Sequence, residues 1–279
     1  MTTIPVHALN DGNQLPAIGF GTYPLKGDEG ADAVASALSF GYRLLDTAVN
    51  YRNEDAVGRG IRQSGLPRDE VQVTTKLPGR HHAYEDALRS FEESRKLLGV
   101  EYVDLYIIHW PNPSVGKFVD AWKALVTLQN DGLARSIGVS NFTPEHIGQI
   151  VDATGVVPAV NQIEVHPYFP QEELISFHRE HNILTEAWSP LGKGSAPGEE
   201  QVVQDAAAAH GVSPAQVLLR WHTQRGVVPI PKSSKPERQR ENLDIFGFEL
   251  SDDEVSAITA LGRTDGRLFG GDPNTHEEQ

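Results

Sequence analysis

Cysteine is absent from the 279 residues, which excludes disulfide frameworks and cysteine-ligated metal sites and suits a reducing compartment. No apolar run approaches the ~20 residues that cross a bilayer. The start, Met1-Thr-Thr-Ile-Pro-Val6, lacks the basic and apolar stretches of a signal peptide. Cations are scarce: 24 Lys and Arg stand against 38 Asp and Glu, a net charge of −14. Such a surface repels nucleic acid and anionic lipid at long range, so any anion site has to be a local basic cluster. A glycine-rich phosphate turn is missing as well. Gly19-Phe-Gly21-Thr-Tyr-Pro24 carries two glycines of a dinucleotide fingerprint, with proline where the third belongs. Gly138-Val-Ser140-Asn-Phe142 has phenylalanine in place of the closing glycine of a nucleophile elbow, which argues against a serine hydrolase. His81, His82, His109 and His166 form no His-x-x-x-His pair, and no metal site is expected. These absences point to a soluble cytoplasmic protein with no nucleic-acid or membrane partner.

What is present is a regular alternation. After two short apolar runs around Asn10-Asp11-Gly12-Asn13, read as a β-hairpin over 4–17, strands and helices follow one another. The strands are expected at 18–21, 42–46, 71–76, 103–109, 134–140, 158–163, 183–188 and 226–230. Helical patterns lie near 29–40, 53–64, 84–98, 117–131, 144–153, 171–181 and 214–224, with extra helices near 199–210 and 251–261. Eight strands separated by helices imply parallel pairing and right-handed crossovers. At this length they favour one closed (β/α)8 barrel over an open sheet, with residues 1–279 forming a single domain and the hairpin plugging one end. The tail from Gly262, rich in Gly, Asp and Glu, reads as irregular with a mobile end.

Residues at the carboxyl ends of barrel strands face the active site. Here they are Tyr23, Asp46, Lys76, His109 with Trp110, Ser140 with Asn141, Gln162, Glu164 near His166, Trp188 and Lys232. A buried strand that ends in an acid is costly unless the acid is paired, so Asp46 calls for a neighbouring cation. Lys76 ends the next strand, His109 the one after, and Tyr51 follows Asp46 on its loop. Singly, each is more often a cap or a satisfied core residue. Together at one end of successive strands, they form an enzyme-like rim.

After the eighth strand comes Ile230-Pro-Lys232-Ser233-Ser234-Lys235-Pro236-Glu237-Arg238. Pro236 suits the first turn of a short helix. A helix start at this point of a barrel favours an anion, through free N–H groups and the macrodipole. Lys232, Lys235 and Arg238 add a local cationic cluster on an otherwise acidic chain.

Three stretches together resemble the aldo-keto reductase family, and in particular its bacterial branch of 2,5-diketogluconate reductases. They are Gly41-Tyr-Arg-Leu-Leu-Asp46-Thr-Ala48 with Tyr51, Glu54 and Gly58; Ile137-Gly-Val-Ser140-Asn141-Phe142; and Ile230-Pro-Lys232-Ser233 with Arg238, Glu241 and Asn242. The resemblance implies NADPH-dependent carbonyl reduction without metal or flavin, by a monomer. It implies catalytic roles for Asp46, Tyr51, Lys76 and His109, the same four residues the strand ends bring forward. Tyr51 would protonate the carbonyl oxygen, Lys76 would lower the hydroxyl's pKa, Asp46 would hold Lys76 charged, and His109 would orient the carbonyl. Ser140, Asn141 and Gln162 would read the nicotinamide carboxamide, and Trp188 would stack on its ring. Gly21, Thr22, Asp46 and Ile230 would lie beside the cofactor, with Ser189 and Leu191 crossing its pyrophosphate. Lys232, Ser233, Ser234 and Arg238 would hold the 2′-phosphate, with Glu241 and Asn242 near adenine. Tyr23, Ala48, Tyr51, His109 and Trp110 would line the substrate pocket, together with the tail around 267–271. Pro78 stands where many members have a tryptophan wall, and the loops after His109 and Trp188 are short, so a shallow pocket for aldehydes, α-dicarbonyls or keto-sugars is expected. The same family includes regulatory NADPH-binding proteins such as the potassium-channel β subunits. Retention of all four polar residues and the lack of long insertions favour the enzyme.

Overall fold

The computed structural model describes residues 4–278. Two short antiparallel strands, β1 (Val6–Ala8) and β2 (Gln14–Pro16), open the chain. Eight parallel strands follow: β3 (Phe20–Gly21), β4 (Leu44–Asp46), β5 (Gln72–Leu77), β6 (Val103–Ile108), β7 (Ala134–Ser140), β8 (Val160–Glu164), β9 (Leu184–Trp188) and β10 (Val227–Pro229). They lie side by side in sequence order. The sheet closes on itself, because Gly19 N–H donates to Pro229 O and Gly21 N–H to Pro231 O, each at 3.0 Å. Glycine at position 19 leaves room for the Ile230 side chain at this seam, where a Cβ would stand 2.5 Å from Ile230 Cδ1. The (β/α)8 barrel expected from the alternation is what the chain forms.

Helices α1 (Gly27–Phe40), α2 (Glu54–Ser64), α3 (Tyr84–Leu98), α4 (Phe118–Asn130), α5 (Pro144–Thr154), α6 (Glu172–Glu180) and α8 (Pro214–Gln224) form the crossovers. The helix α7 (Gln201–His210) precedes α8; α9 (Pro236–Leu243) and α10 (Asp252–Thr259) follow the last strand. Local sequence starts several of them. Thr143-Pro-Glu-His146 and Ser213-Pro-Ala-Gln216 each place a hydroxyl at the cap, proline at the first turn and a reciprocal side chain three residues on. Among the described residues no helix is long and apolar enough to cross a membrane.

The hairpin plugs the amino end of the barrel: Leu9 and Leu15 join Leu44, Leu105, Ile107, Val160 and Val228 in one buried cluster. A larger layer, with Trp122, Phe91 and Tyr106 fully buried, packs the helices against the strands. Two expectations shift. Tyr42 lies outside β4, because its N–H returns to Ala37 O in the left-handed cap that Gly41 makes at the end of α1. The tail is irregular, as expected, but it is docked across the top of the barrel as far as Glu278 rather than loose.

Candidate active site

Parallel register brings the strand ends level. Asp46 pairs with Thr74 and Lys76 with Ile107, while Ser140 lies opposite Gln162 and Glu164 opposite Trp188. Above them opens a cavity of about 670 Å³, bordered among others by Tyr51, His109, Trp110, Trp188, Lys232 and Phe269.

Beneath the cavity Lys76 is completely buried. Its Nζ donates to Asp46 Oδ1 at 2.5 Å, to Thr47 O at 2.9 Å and to Tyr51 Oη at 3.3 Å. Three donors therefore find three acceptors, which is what makes a buried ammonium tolerable. Burial works against the charge of Lys76, but Asp46 and then Tyr51 outweigh it, and the ammonium stays above the usual lysine range. Tyr51 reaches this point on the short turn Val49–Tyr51 after β4. Burial pushes its hydroxyl above the ordinary phenol range while Lys76 pulls it down. Lys76 lowers the hydroxyl, as expected, but burial acts the other way and prevails in the resting protein. His109 stands edge-on to Tyr51 with ring centroids 5.8 Å apart, and Tyr23 packs on the other side at 5.1 Å.

A second polar chain runs behind the pair. Gln162 Nε2 donates to Asp46 Oδ2 at 2.8 Å and to Glu186 Oε2 at 2.9 Å. Glu186 is wholly buried; burial and then the Asp46 charge push its carboxyl up to about 8. Asn141, at φ 62°, donates from Nδ2 to His109 O and Ser140 Oγ, each at 3.0 Å, and accepts from Trp188 Nε1 at 2.9 Å. That last bond sets the plane of the Trp188 indole at the cavity wall.

The structure brings most of the expected residues together, though not all in the expected way. Gly21, Thr22, Asn141, Gln162, Trp188, Ser189, Leu191, Ile230 and Lys232 border the cavity. Ser140 Oγ is spent on Gln162 O at 2.7 Å. Ala48 is fully buried beneath Tyr51 and does not border the cavity. At the start of α9, Lys232, Ser234 and Arg238 are exposed. Ser233 is instead buried, its Oγ taking the Lys235 N–H at 3.0 Å. Among the described residues no ion pair involves Lys232, Lys235 or Arg238. Asn242 is buried one turn further on and Glu241 is half-buried. Phe269, within the tail stretch 267–271 expected at the pocket, borders the cavity, and its ring meets Trp188 at 5.3 Å. Residues that sequence reasoning passed over are Glu186 and Glu278. A lone acid within the strand Leu184–Trp188 was a readable signal for Glu186. Glu278 carried none, because its position depends on how the tail folds back.

The profile of the aldo/keto reductase family matches residues 17–263. The chain belongs to that family. It is 54% identical to 2,5-diketo-D-gluconic acid reductase B of Corynebacterium sp. (strain SHS752001) over 278 residues, which is 100% of both chains. Among solved structures it is similar to Gox0644 in its apoform, with TM-score 0.95 and 47% identity over 99% of this chain and 100% of that one. A mutant of Gox0644 solved in complex with NADPH matches with the same TM-score, identity and coverage.

Proposed function

We propose that this aldo/keto reductase is an NADPH-dependent oxidoreductase that reduces small carbonyl compounds to alcohols, with Tyr51 as the proton donor. The observation that carries the reading is Lys76: a wholly buried ammonium, tied to Asp46 and reaching Tyr51 Oη at 3.3 Å, beneath the cavity that Tyr51 and His109 border.

The residues fit such a cofactor. Trp188 offers an indole face held by Asn141. At Gly21 the backbone of Ile230 comes so close that a Cβ would stand 3.1 Å from its carbonyl oxygen, which keeps this wall of the cavity flat. Lys232 and Arg238 are exposed cations beside a helix start, and they suit the 2′-phosphate. On a chain of net charge −14 that phosphate is repelled elsewhere. Ser234 would add a hydroxyl there, Glu241 and Asn242 would lie near the adenine, and Ser189 with Leu191 would cross the pyrophosphate.

When bound, the dihydronicotinamide supplies a hydride to the carbonyl carbon. The chain's own residues handle the oxygen. Tyr51 keeps its proton at rest, as its raised hydroxyl requires, and gives it to the carbonyl oxygen as charge develops there. Lys76 sits ready to compensate the phenolate, so the cost of the transfer falls in the transition state rather than at rest. Asp46 holds Lys76 in register, and His109 orients the carbonyl oxygen. The short loops, and the high identity to a diketogluconic acid reductase, support aldehydes, α-dicarbonyls and keto-sugars as the substrate class. The absence of cysteine and the single closed barrel support a cytoplasmic monomer.

The test is NADPH consumption with methylglyoxal and keto-sugars, by the native protein and by Tyr51→Phe. Native turnover with NADPH is expected, and a fall of roughly 10²–10⁴ in kcat with little change in NADPH Kd is expected for the variant. A variant within a few-fold of native kcat would remove Tyr51 from the role.

A further inference from the structure

The tail crosses the mouth of the barrel and ends in a socket. Leu268 N–H is held by the buried Glu164 at 2.7 Å, Gly271 lies against Trp110, and the His276 ring covers Trp110 with centroids 4.1 Å apart. At its end Asn112, itself buried, clamps Glu278 in both directions: its Nδ2 donates to Glu278 O at 2.6 Å, and its Oδ1 accepts Glu278 N–H at 3.1 Å. The side chain is gripped as firmly. Asn50 Nδ2 donates to Oε1 at 2.7 Å, and Gly79 N–H to Oε2 at 3.2 Å. Gly79 has to be glycine for this, since a Cβ there would stand 2.1 Å from Asn112 Nδ2 and 2.7 Å from Glu278 O.

So seated, Glu278 Oε1 lies 2.6 Å from His109 Nδ1. The approach is close but falls outside in-line hydrogen-bond geometry at Nδ1. Burial works against the charge of this carboxylate, yet His109, Asn50 and the Gly79 amide bring it below the usual range, so it is an ionised acceptor. An anionic oxygen at that distance cannot face a lone pair; it requires a hydrogen on Nδ1. Nε2 is then left as the nitrogen for the cavity that His109 borders. Carboxylates placed behind functional imidazoles act in this way.

We propose that Glu278 is a positioning residue of this enzyme: the socket of Asn50, Gly79 and Asn112 seats the tail so that the Glu278 carboxylate holds His109 for the carbonyl substrate. The tail is then a working part of the active site. This rests on His109 acting on the carbonyl, as read above.

A double-mutant cycle tests it, using kcat/KM for methylglyoxal, Kd for NADPH and the thermal midpoint. Glu278→Gln keeps the shape and most of the socket bonds while removing the charge. It is expected to lower kcat/KM about 10-fold or more with NADPH Kd unchanged and only a small fall in thermal midpoint, since the ionised carboxylate also stabilises the fold. In a His109→Gln background the same substitution is expected to change kcat/KM less than about twofold, because the group it acts through is gone. Gly79→Ala, which crowds the socket, is expected to reproduce the loss with Glu278 intact. Native kcat/KM in Glu278→Gln, or an equal loss with and without His109, overturns the proposal. A His109→Gln enzyme as fast as the native one overturns the reading beneath it as well.

Discussion

Two of the buried carboxylates on the strands of this barrel, Asp104 and Asp46, lie at opposite ends, and both are paired with cations. Asp104 is the second residue of β6, near the amino end. Arg68 Nη2 lies 2.7 Å from one of its oxygens and Arg135 Nη1 3.4 Å from the other, while Val73 N–H donates to it at 3.0 Å. Both guanidinium groups also lie over the Tyr102 ring, at 4.3 and 3.9 Å from its centroid. Asp46 is the last residue of β4, at the carboxyl end, and has Lys76 and Gln162. The first arrangement is closed: its cations are spent on the acid, on backbone carbonyls and on an aromatic face. The second is open at one point, because Lys76 has a third donor and it meets the hydroxyl of Tyr51 at the cavity. An ion pair becomes chemistry when one of its hydrogen bonds is directed at a group that can react, and the carboxyl end of a barrel is where loops supply such groups.

Breaking each arrangement should separate the two kinds of loss. The largest effect is expected for Lys76→Met, which takes the cation from both Asp46 and Tyr51. Turnover should fall about 10³-fold or more, and stability by about 3–5 kcal/mol as Asp46 is left buried without its partner. Steady-state kinetics and denaturant titration of the same preparation read both. Turnover within tenfold of native would make Lys76 structural, like its counterpart cations at the other end.

Asp104→Ala comes next. It should cost about 1–3 kcal/mol, less than a fully buried pair, because the side chains of Arg68 and Arg135 are 25% and 46% exposed and can rehydrate. Turnover should stay within about twofold. A large kinetic loss without a stability loss would dissolve the distinction between the two ends.

Glu186→Gln gives the smallest effect and sharpens the functional end. The Glu186 carboxyl is raised from 4.5 to about 8 in the folded protein, by burial first and Asp46 second. Between those pH values the unfolded chain ionises this group while the folded chain keeps its proton, so its contribution to stability declines as pH rises from about 4.5 and levels off above about 8. From pH 7 to pH 9 the group should remove about 1.4 kcal/mol. Glu186→Gln should lack that decline, which melting curves across the range would reveal. Parallel curves for the two proteins would mean that Glu186 is ionised in the fold.

The barrel was legible in the chain because its signals are local: apolar runs of strand length, helical periodicity, caps such as Thr143-Pro144 and Ser213-Pro214, and strict alternation between them. Asp46, Lys76 and His109 were legible for the same reason. Polar residues that end apolar strands are conspicuous, and parallel register, once the topology is known, carries them to one rim. Tyr51 needed only the turn that follows. The tertiary structure alone decided what lies between those groups. It set the net upward direction for the Tyr51 hydroxyl, because burial is a property of the packed site rather than of the neighbouring residue. It turned Ser233 into its own loop and placed Ala48 beneath the cavity wall. It also carried Glu278 back to His109, a contact between residues 169 positions apart that no local pattern encodes, since it depends on where an irregular tail meets a socket built from three separate loops.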